Sequence, residues 1–151
     1  MKIMTAAEAV QLINSGESIY IQGSTSIPEV LSQALADRGA ELKDVTIYAA
    51  FAVGRCEAPY CKPEYKDSFN VKSLFVANNI RKWLAAGYGS TIPAFLGEIP
   101  GLFRDGTLPL DAVFLNVSPP NAEGYCSFGV SADLAVSATE REKKVIVQVN
   151  K

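Results

Sequence analysis

Apolar positions along this chain come in short runs broken by glycine, proline and polar clusters, and the runs alternate between helical and extended spacing. Thr5 followed by Glu8 forms a capping box that opens a helix running to about Asn14 and stopping at Gly16. Ser18 to Gln22 (SIYIQ) is a β-rich run that meets Gly23. Pro28 suits the first turn of a second helix, which runs to Arg38 and ends at Gly39. Val45 to Phe51 is a second strand, Ala52 to Asp67 a loop rich in Pro, Gly and charge, and Val71 to Ala77 a third strand. A helix over Asn79 to Ala86 closes at Gly87, and a loop with Pro93 leads to a short helix from Glu98 to Arg104, stopped by Gly106. Asp111 to Val117 is a near-continuous apolar strand followed by a loop from Ser118 to Cys126. Ser131 is placed to cap a helix through about Glu142, and Val145 to Val149 reads as a final, buried central strand.

Alternating strands and helices, with several strands apolar throughout, predict an α/β domain: an open, mainly parallel sheet with helices on both faces. In such sheets, function collects in the loops beyond the carboxyl ends of the strands. Two loops fit that position, GSTSIP over Gly23 to Pro28 and SPPNAEGYCSFG over Ser118 to Gly129. A parallel strand normally feeds a crossover back to its sheet, yet only Asn150 and Lys151 follow Val149, so more protein is expected to follow.

At 151 residues, the chain is long enough for one domain with a real core. A net charge of −2, with no basic run interleaved with aromatics, gives no nucleic-acid surface. No apolar stretch approaches the roughly 20 residues that span a bilayer, and the start lacks a signal peptide's apolar block, so a cytoplasmic location is expected. Cys56, Cys61 and Cys126 are an odd number and too loosely spaced for a zinc site, so neither a metal nor a disulfide is expected. The chain has no histidine. Ser–His–Asp and Cys–His chemistry is therefore closed to it, and covalent catalysis would need carboxylates, lysines, backbone amides or another chain.

Gly23 to Pro28 is a strand–glycine–polar loop–helix junction. Amides at such a junction favour an anion, or the oxyanion that forms when an acyl carbonyl is attacked. Gly23 would let a ligand approach the backbone, and Ser24, Thr25 and Ser26 are small and polar. The same residues also fit an ordinary turn ahead of a proline-started helix. It is neither a Walker loop nor GxGxxG. In the second loop, Glu123 is either an acid or base or a solvated carboxylate, and Cys126 reads as a small packing residue rather than a nucleophile. Arg81 fits either an anion contact or a salt bridge, and Trp83 and Phe95 fit core or interface positions.

Four segments carry a family resemblance: YIQGSTSIPEVLSQAL (Tyr20 to Leu35), LFVANNIRK (Leu74 to Lys82), the block from Ile92 to Ala135, and VIVQVN (Val145 to Asn150). Together they resemble the N-terminal domain of the acetyl-CoA hydrolase/transferase family, which includes acetate-, butyrate- and 4-hydroxybutyrate-type CoA-transferases. Family members often have Gly-Ala before the Asn-x-Arg stretch, where this chain has Ala77 and Asn78. The resemblance implies two similar open α/β domains and a reaction on coenzyme A thioesters. A glutamate attacks the acyl-CoA carbonyl to give a mixed anhydride. The CoA thiolate then forms an enzyme–CoA thioester, and an acceptor carboxylate takes up the CoA; in hydrolases, water intervenes. That glutamate and most CoA contacts belong to the second half, so no catalytic role passes to Glu57, Glu98 or Glu123.

The resemblance also implies that Gly23, Ser24, Thr25, Ser26, Ile27 and Pro28 help form the oxyanion or substrate pocket. The expected partners are acyl-CoA, a small carboxylate, the protein's own C-terminal half and further copies of itself. CoA enters as a substrate, and no bound cofactor is expected. A non-catalytic anion-binding domain and an interaction domain are the readings from other classes.

Overall fold

Residues 2–52, 58–140 and 144–150 are described by the computed structural model. Cys56, Glu57 and the expected helix end at Glu142 lie outside these residues. Thr5 caps α1 (Ala6–Val10) through the expected box: the Glu8 amide donates to the Thr5 hydroxyl at 3.3 Å, and the Thr5 amide donates to Glu8 Oε2 at 2.8 Å. The regular helix ends earlier than Asn14 because its last turn tightens. Leu12 and Ile13 donate three residues back, to the carbonyls of Ala9 and Val10. The Arg38 guanidinium, at the end of α2 (Glu29–Asp37), then takes the carbonyls of Val10 and Ile13.

Six parallel strands form one sheet in the order β4-β3-β2-β1-β5-β6. They are β1 (Ser18–Ile21), β2 (Val45–Ala49), β3 (Phe69–Ser73), β4 (Ser90–Thr91), β5 (Ala112–Val117) and β6 (Lys144–Val149). Alternation along β1 sends Ile19 and Ile21 into one core and Tyr20 into the other. The first core holds α1, α2 and Ile80 of α3 (Asn78–Ala85). The second holds Ile99 and Phe103 of α4 (Ile99–Arg104) with Ala135 and Ala138 of α5 (Ala135–Thr139). Both faces of the sheet are thus covered by helices, as the apolar strands predict.

Several boundaries differ from expectation. β3 spans Phe69–Ser73 rather than Val71–Ala77, because Phe69 is in register with Val45, and the chain turns where the Ser73 hydroxyl donates to the Phe75 carbonyl. Two-residue β4 falls in the expected loop around Pro93. α5 starts at Ala135 and is not capped by Ser131, whose backbone is bonded elsewhere. Among the described residues β6 is the outermost strand beside β5, and its Val145 is 46% exposed.

Candidate functional site

The chain runs outward from β1 through β2 and β3 to β4, then returns to lay β5 on the other side of β1. The direction of winding reverses between β1 and β5, and ligands of open α/β sheets bind beyond the carboxyl ends at such a reversal. Both candidate loops leave the sheet there: Gly23–Pro28 follows β1, and the Ser118–Gly129 segment follows β5.

Gly23 is held against β2. A Cβ on it would lie 2.7 Å from the Phe51 carbonyl oxygen, 2.9 Å from Ala50 Cβ and 3.1 Å from Asp133 Oδ2. Only glycine fits this close approach. Ser24, at φ +58°, donates its amide to the Phe51 carbonyl at 2.6 Å, and pairs with Ala52 in a parallel bridge. The Phe51 ring meets Phe75 edge-on at 5.5 Å. Ser26 is buried; its amide donates to the Gly23 carbonyl at 3.2 Å, and its hydroxyl accepts from the Ser131 amide at 3.2 Å. Ile27 is half-buried and Pro28 is buried directly ahead of α2. Thr25 is exposed at the loop's tip.

The loop's amides are less free than a generic anion-binding turn would have them. Glu29 donates to the Ile27 carbonyl at 3.0 Å, and Val30 and Leu31 donate to Gln148 Oε1 at 3.0 and 3.4 Å, so the first turn of α2 is already satisfied. Among the described residues, the amides of Thr25 and Ile27 have no hydrogen-bond partner.

Gln22, Tyr20 and Asp133 form a polar base that sequence reasoning missed. Gln22 is 1% exposed, donates through Nε2 to the Ser131 carbonyl at 2.7 Å, and accepts from the Asn116 amide at 2.7 Å. It therefore stitches the end of β1 to β5 and to the far end of the segment that follows β5. Its signal was present: a glutamine ending an apolar strand, directly before a constrained glycine, must find buried partners. Asp133 carried no such signal. It sits at φ +44°, with Oδ2 3.5 Å from the buried Tyr20 hydroxyl. Burial pushes the Tyr20 phenol well above its ordinary range, and the neighbouring Asp133 carboxylate adds to this. Burial likewise raises the Asp133 carboxyl.

Beneath the loop, Gly23 and Ile27 line a cavity of about 10 Å³ that also touches Ser32 and Asn79. Ser32 Oγ and Asn79 Oδ1 are buried there without a partner among the described residues. This volume suits about one water molecule and no acyl group. The other candidates lie apart from this arrangement. Glu98 accepts from the Phe95 amide at 3.0 Å, and Arg81 donates to the Val76 carbonyl at 3.4 Å. Glu123 is exposed in a tight turn organised by Asn121. Cys126 is exposed rather than packed, and Phe95 is 81% exposed, whereas Trp83 packs against the first core. No helix among the described residues is long and apolar enough to cross a membrane.

Known proteins share this fold. Residues 1–151 match the acetyl-CoA hydrolase/transferase N-terminal domain. The chain is 34% identical over 150 residues to a 4-hydroxybutyrate coenzyme A transferase of Clostridium kluyveri, covering 99% of this chain and 34% of that protein. It is 32% identical over 145 residues to a succinyl-CoA:acetate/propanoyl-CoA:succinate CoA transferase of Fasciola hepatica, covering 95% and 30%. The crystal structure of a 4-hydroxybutyrate CoA-transferase from Porphyromonas gingivalis superposes with a TM-score of 0.79 at 30% identity, over 99% of this chain and 33% of that one. RipA from Yersinia pestis superposes with a TM-score of 0.86 at 25% identity, over 99% and 36%. The chain spans about a third of the length of these relatives. It belongs to the acetyl-CoA hydrolase/transferase family, as that family's N-terminal domain.

Proposed function

We propose that this chain is the N-terminal half of an acyl-CoA:carboxylate CoA-transferase that works through a glutamyl-CoA thioester. The glutamate belongs to the remaining part of such an enzyme. It attacks the thioester carbonyl and expels CoA thiolate, leaving an acyl–glutamyl anhydride. The thiolate then attacks the glutamyl carbonyl, releasing the first carboxylate. An acceptor carboxylate attacks the resulting glutamyl-CoA, and the thiolate returns to the new acyl group. In this reading, Gly23, Ser24, Thr25, Ser26, Ile27 and Pro28 form the wall facing that glutamate. The amides of Thr25 and Ile27 meet the acyl oxygen as it becomes negative. Water in place of the acceptor gives the hydrolase of the same family. Acyl-CoA, a small carboxylate and the C-terminal half are the partners, in the cytoplasm, with CoA as substrate rather than resident cofactor.

The observation that carries this reading is the meeting of the two loops at the reversal between β1 and β5, in a chain whose named relatives are CoA-transferases. Its test is thioester exchange between acetyl-CoA and a panel of carboxylates. The 151-residue chain alone is expected to give no turnover. The same chain continued by the remaining two thirds of the Clostridium kluyveri relative is expected to exchange CoA. Turnover by the chain alone, abolished by changing one of its own residues, would overturn the assignment, as would a folded but inert fusion.

A further inference from the structure

A helical hydroxyl usually turns back onto its own helix. Two in α5 do so: Ser137 Oγ donates to the Leu134 carbonyl at 2.9 Å, and Thr139 Oγ1 donates to the Ala135 carbonyl at 3.0 Å. Ser32 does not. It lies in the first turn of α2 and is 1% exposed. Its amide donates to the Pro28 carbonyl at 2.9 Å, but its Oγ has no partner among the described residues. Asn79, in the first turn of α3, lines the same cavity beneath Gly23 and Ile27, and its Oδ1 is equally buried and unpartnered. Buried polar atoms almost always find a partner, so two orphans at one small cavity call for a common one.

The cavity exists because much of its wall is small. Gly23, Ala49, Ala50, Ala52 and Ala58 offer nothing longer than a methyl group to meet the two oxygens. Nor can Gly23 be enlarged, since a Cβ there would lie 2.7 Å from the Phe51 carbonyl oxygen. The side chain of Gln22, which also lines the space, is committed to Ser131 and Asn116. A volume of about 10 Å³ is close to the least that holds one water molecule. Among the described residues no charged side chain lines it, so an ion would enter without compensation. The occupant must therefore be small, neutral and able both to donate and to accept hydrogen bonds.

We propose that one water molecule is a fixed part of this fold, bridging Ser32 Oγ to Asn79 Oδ1 beneath the Gly23–Pro28 loop. It donates to Asn79 Oδ1 and shares a hydrogen bond with Ser32 Oγ. Two such partners lie within the two to four that a buried water makes. The water thereby ties the start of α2 to the start of α3 under the loop that leaves β1. This inference goes beyond the reading of the chain as half of a CoA-transferase and does not depend on it.

A high-resolution crystal structure of the wild-type chain tests the site directly, and urea unfolding of Ser32→Ala, Asn79→Leu and the double variant tests its energetics. The expected density is a single peak within hydrogen-bond reach of both Ser32 Oγ and Asn79 Oδ1. Each single variant is expected to raise the unfolding constant roughly 3- to 10-fold, because it leaves the water and the remaining polar atom short of a partner. Ser32→Ala should do so although alanine is the better helix former. The double variant is expected to raise the constant by less than the product of the two, since the bridge is lost only once. A dry cavity predicts the opposite sign, because each single variant would then remove an orphaned group. If a variant does not fold, the density decides alone. An empty site, Ser32 and Asn79 bonded to each other or to other protein atoms, or folded single variants that unfold no more readily than wild type would each overturn the proposal.

Discussion

The hydroxyl of Ser26 accepts a hydrogen bond from the amide of Ser131 at 3.2 Å, joining residues 105 positions apart at the carboxyl ends of β1 and β5. Ser26 is 3% exposed, so its removal leaves a backbone donor in a place that water reaches poorly. Ser26→Ala is expected to cost about 1–3 kcal/mol, the cost of orphaning such a group. Ser118→Ala, which loses an equivalent bond on the exposed side of the second loop, is expected to cost less than about 0.5 kcal/mol. Urea unfolding of the two variants measures the difference, and equal costs would show that the loops are not coupled.

At Gly23 the constraint is space. A Cβ would meet the Phe51 carbonyl oxygen at 2.7 Å, and backbone cannot step aside as a flexible side-chain tip can. Gly23→Ala is expected to lower stability by about 1–3 kcal/mol. Gly97→Ala, where a Cβ meets nothing within 4 Å, is expected to be near neutral. Thermal melts of both variants check this. The result also decides which variants can probe function, since a bulky residue at Gly23 would damage the fold before it touched a substrate.

Asp133 gives a pH signature. Burial raises its carboxyl above the ordinary value, while hydrogen bonds from Tyr20 and the Leu134 amide partly oppose the shift. A raised carboxyl favours the protonated folded state. Its stabilising contribution is therefore complete below the ordinary carboxylate pKa and is lost as pH rises through the folded value. Asp133→Asn, which tolerates the same left-handed backbone, is expected to be more stable than wild type at neutral pH. The gain should be no more than about 1 kcal/mol, because the group is half exposed and screened, and it should vanish as pH falls below the ordinary carboxylate range. Melting temperatures at pH values on either side of that range provide the test. A loss at neutral pH that disappears at low pH would mean that the carboxylate is needed in its charged form.

Local signals were the legible ones. Thr5 with Glu8, Gly23 after SIYIQ, and the glycine stops of the helices could be read because capping and left-handed turns are decided within a few residues. Both loops later found at the reversal were visible for the same reason. Contacts between distant segments were hidden. Gln22 announced a need for partners but not that Asn116 and Ser131 would supply them, and nothing around Asp133 indicated that it would lie against Gly23. The free state of the α2 amides was misjudged because Gln148, 118 residues from Val30, fills the site that a ligand would otherwise occupy.

The central claim, that the Gly23–Pro28 loop presents backbone amides to the acyl oxygen, is tested most directly by removing one of them without altering any side chain. The amide of Thr25 or of Ile27 is replaced by an ester in the chain continued by the remaining two thirds of the Clostridium kluyveri relative, and kcat for acyl transfer is measured beside Kd for CoA. The account predicts that kcat falls by roughly 100-fold for at least one of the two, as loss of a single oxyanion donor does elsewhere, with CoA affinity and melting temperature unchanged. Two folded ester variants with near-normal kcat would contradict it and leave the loop as a turn between β1 and α2.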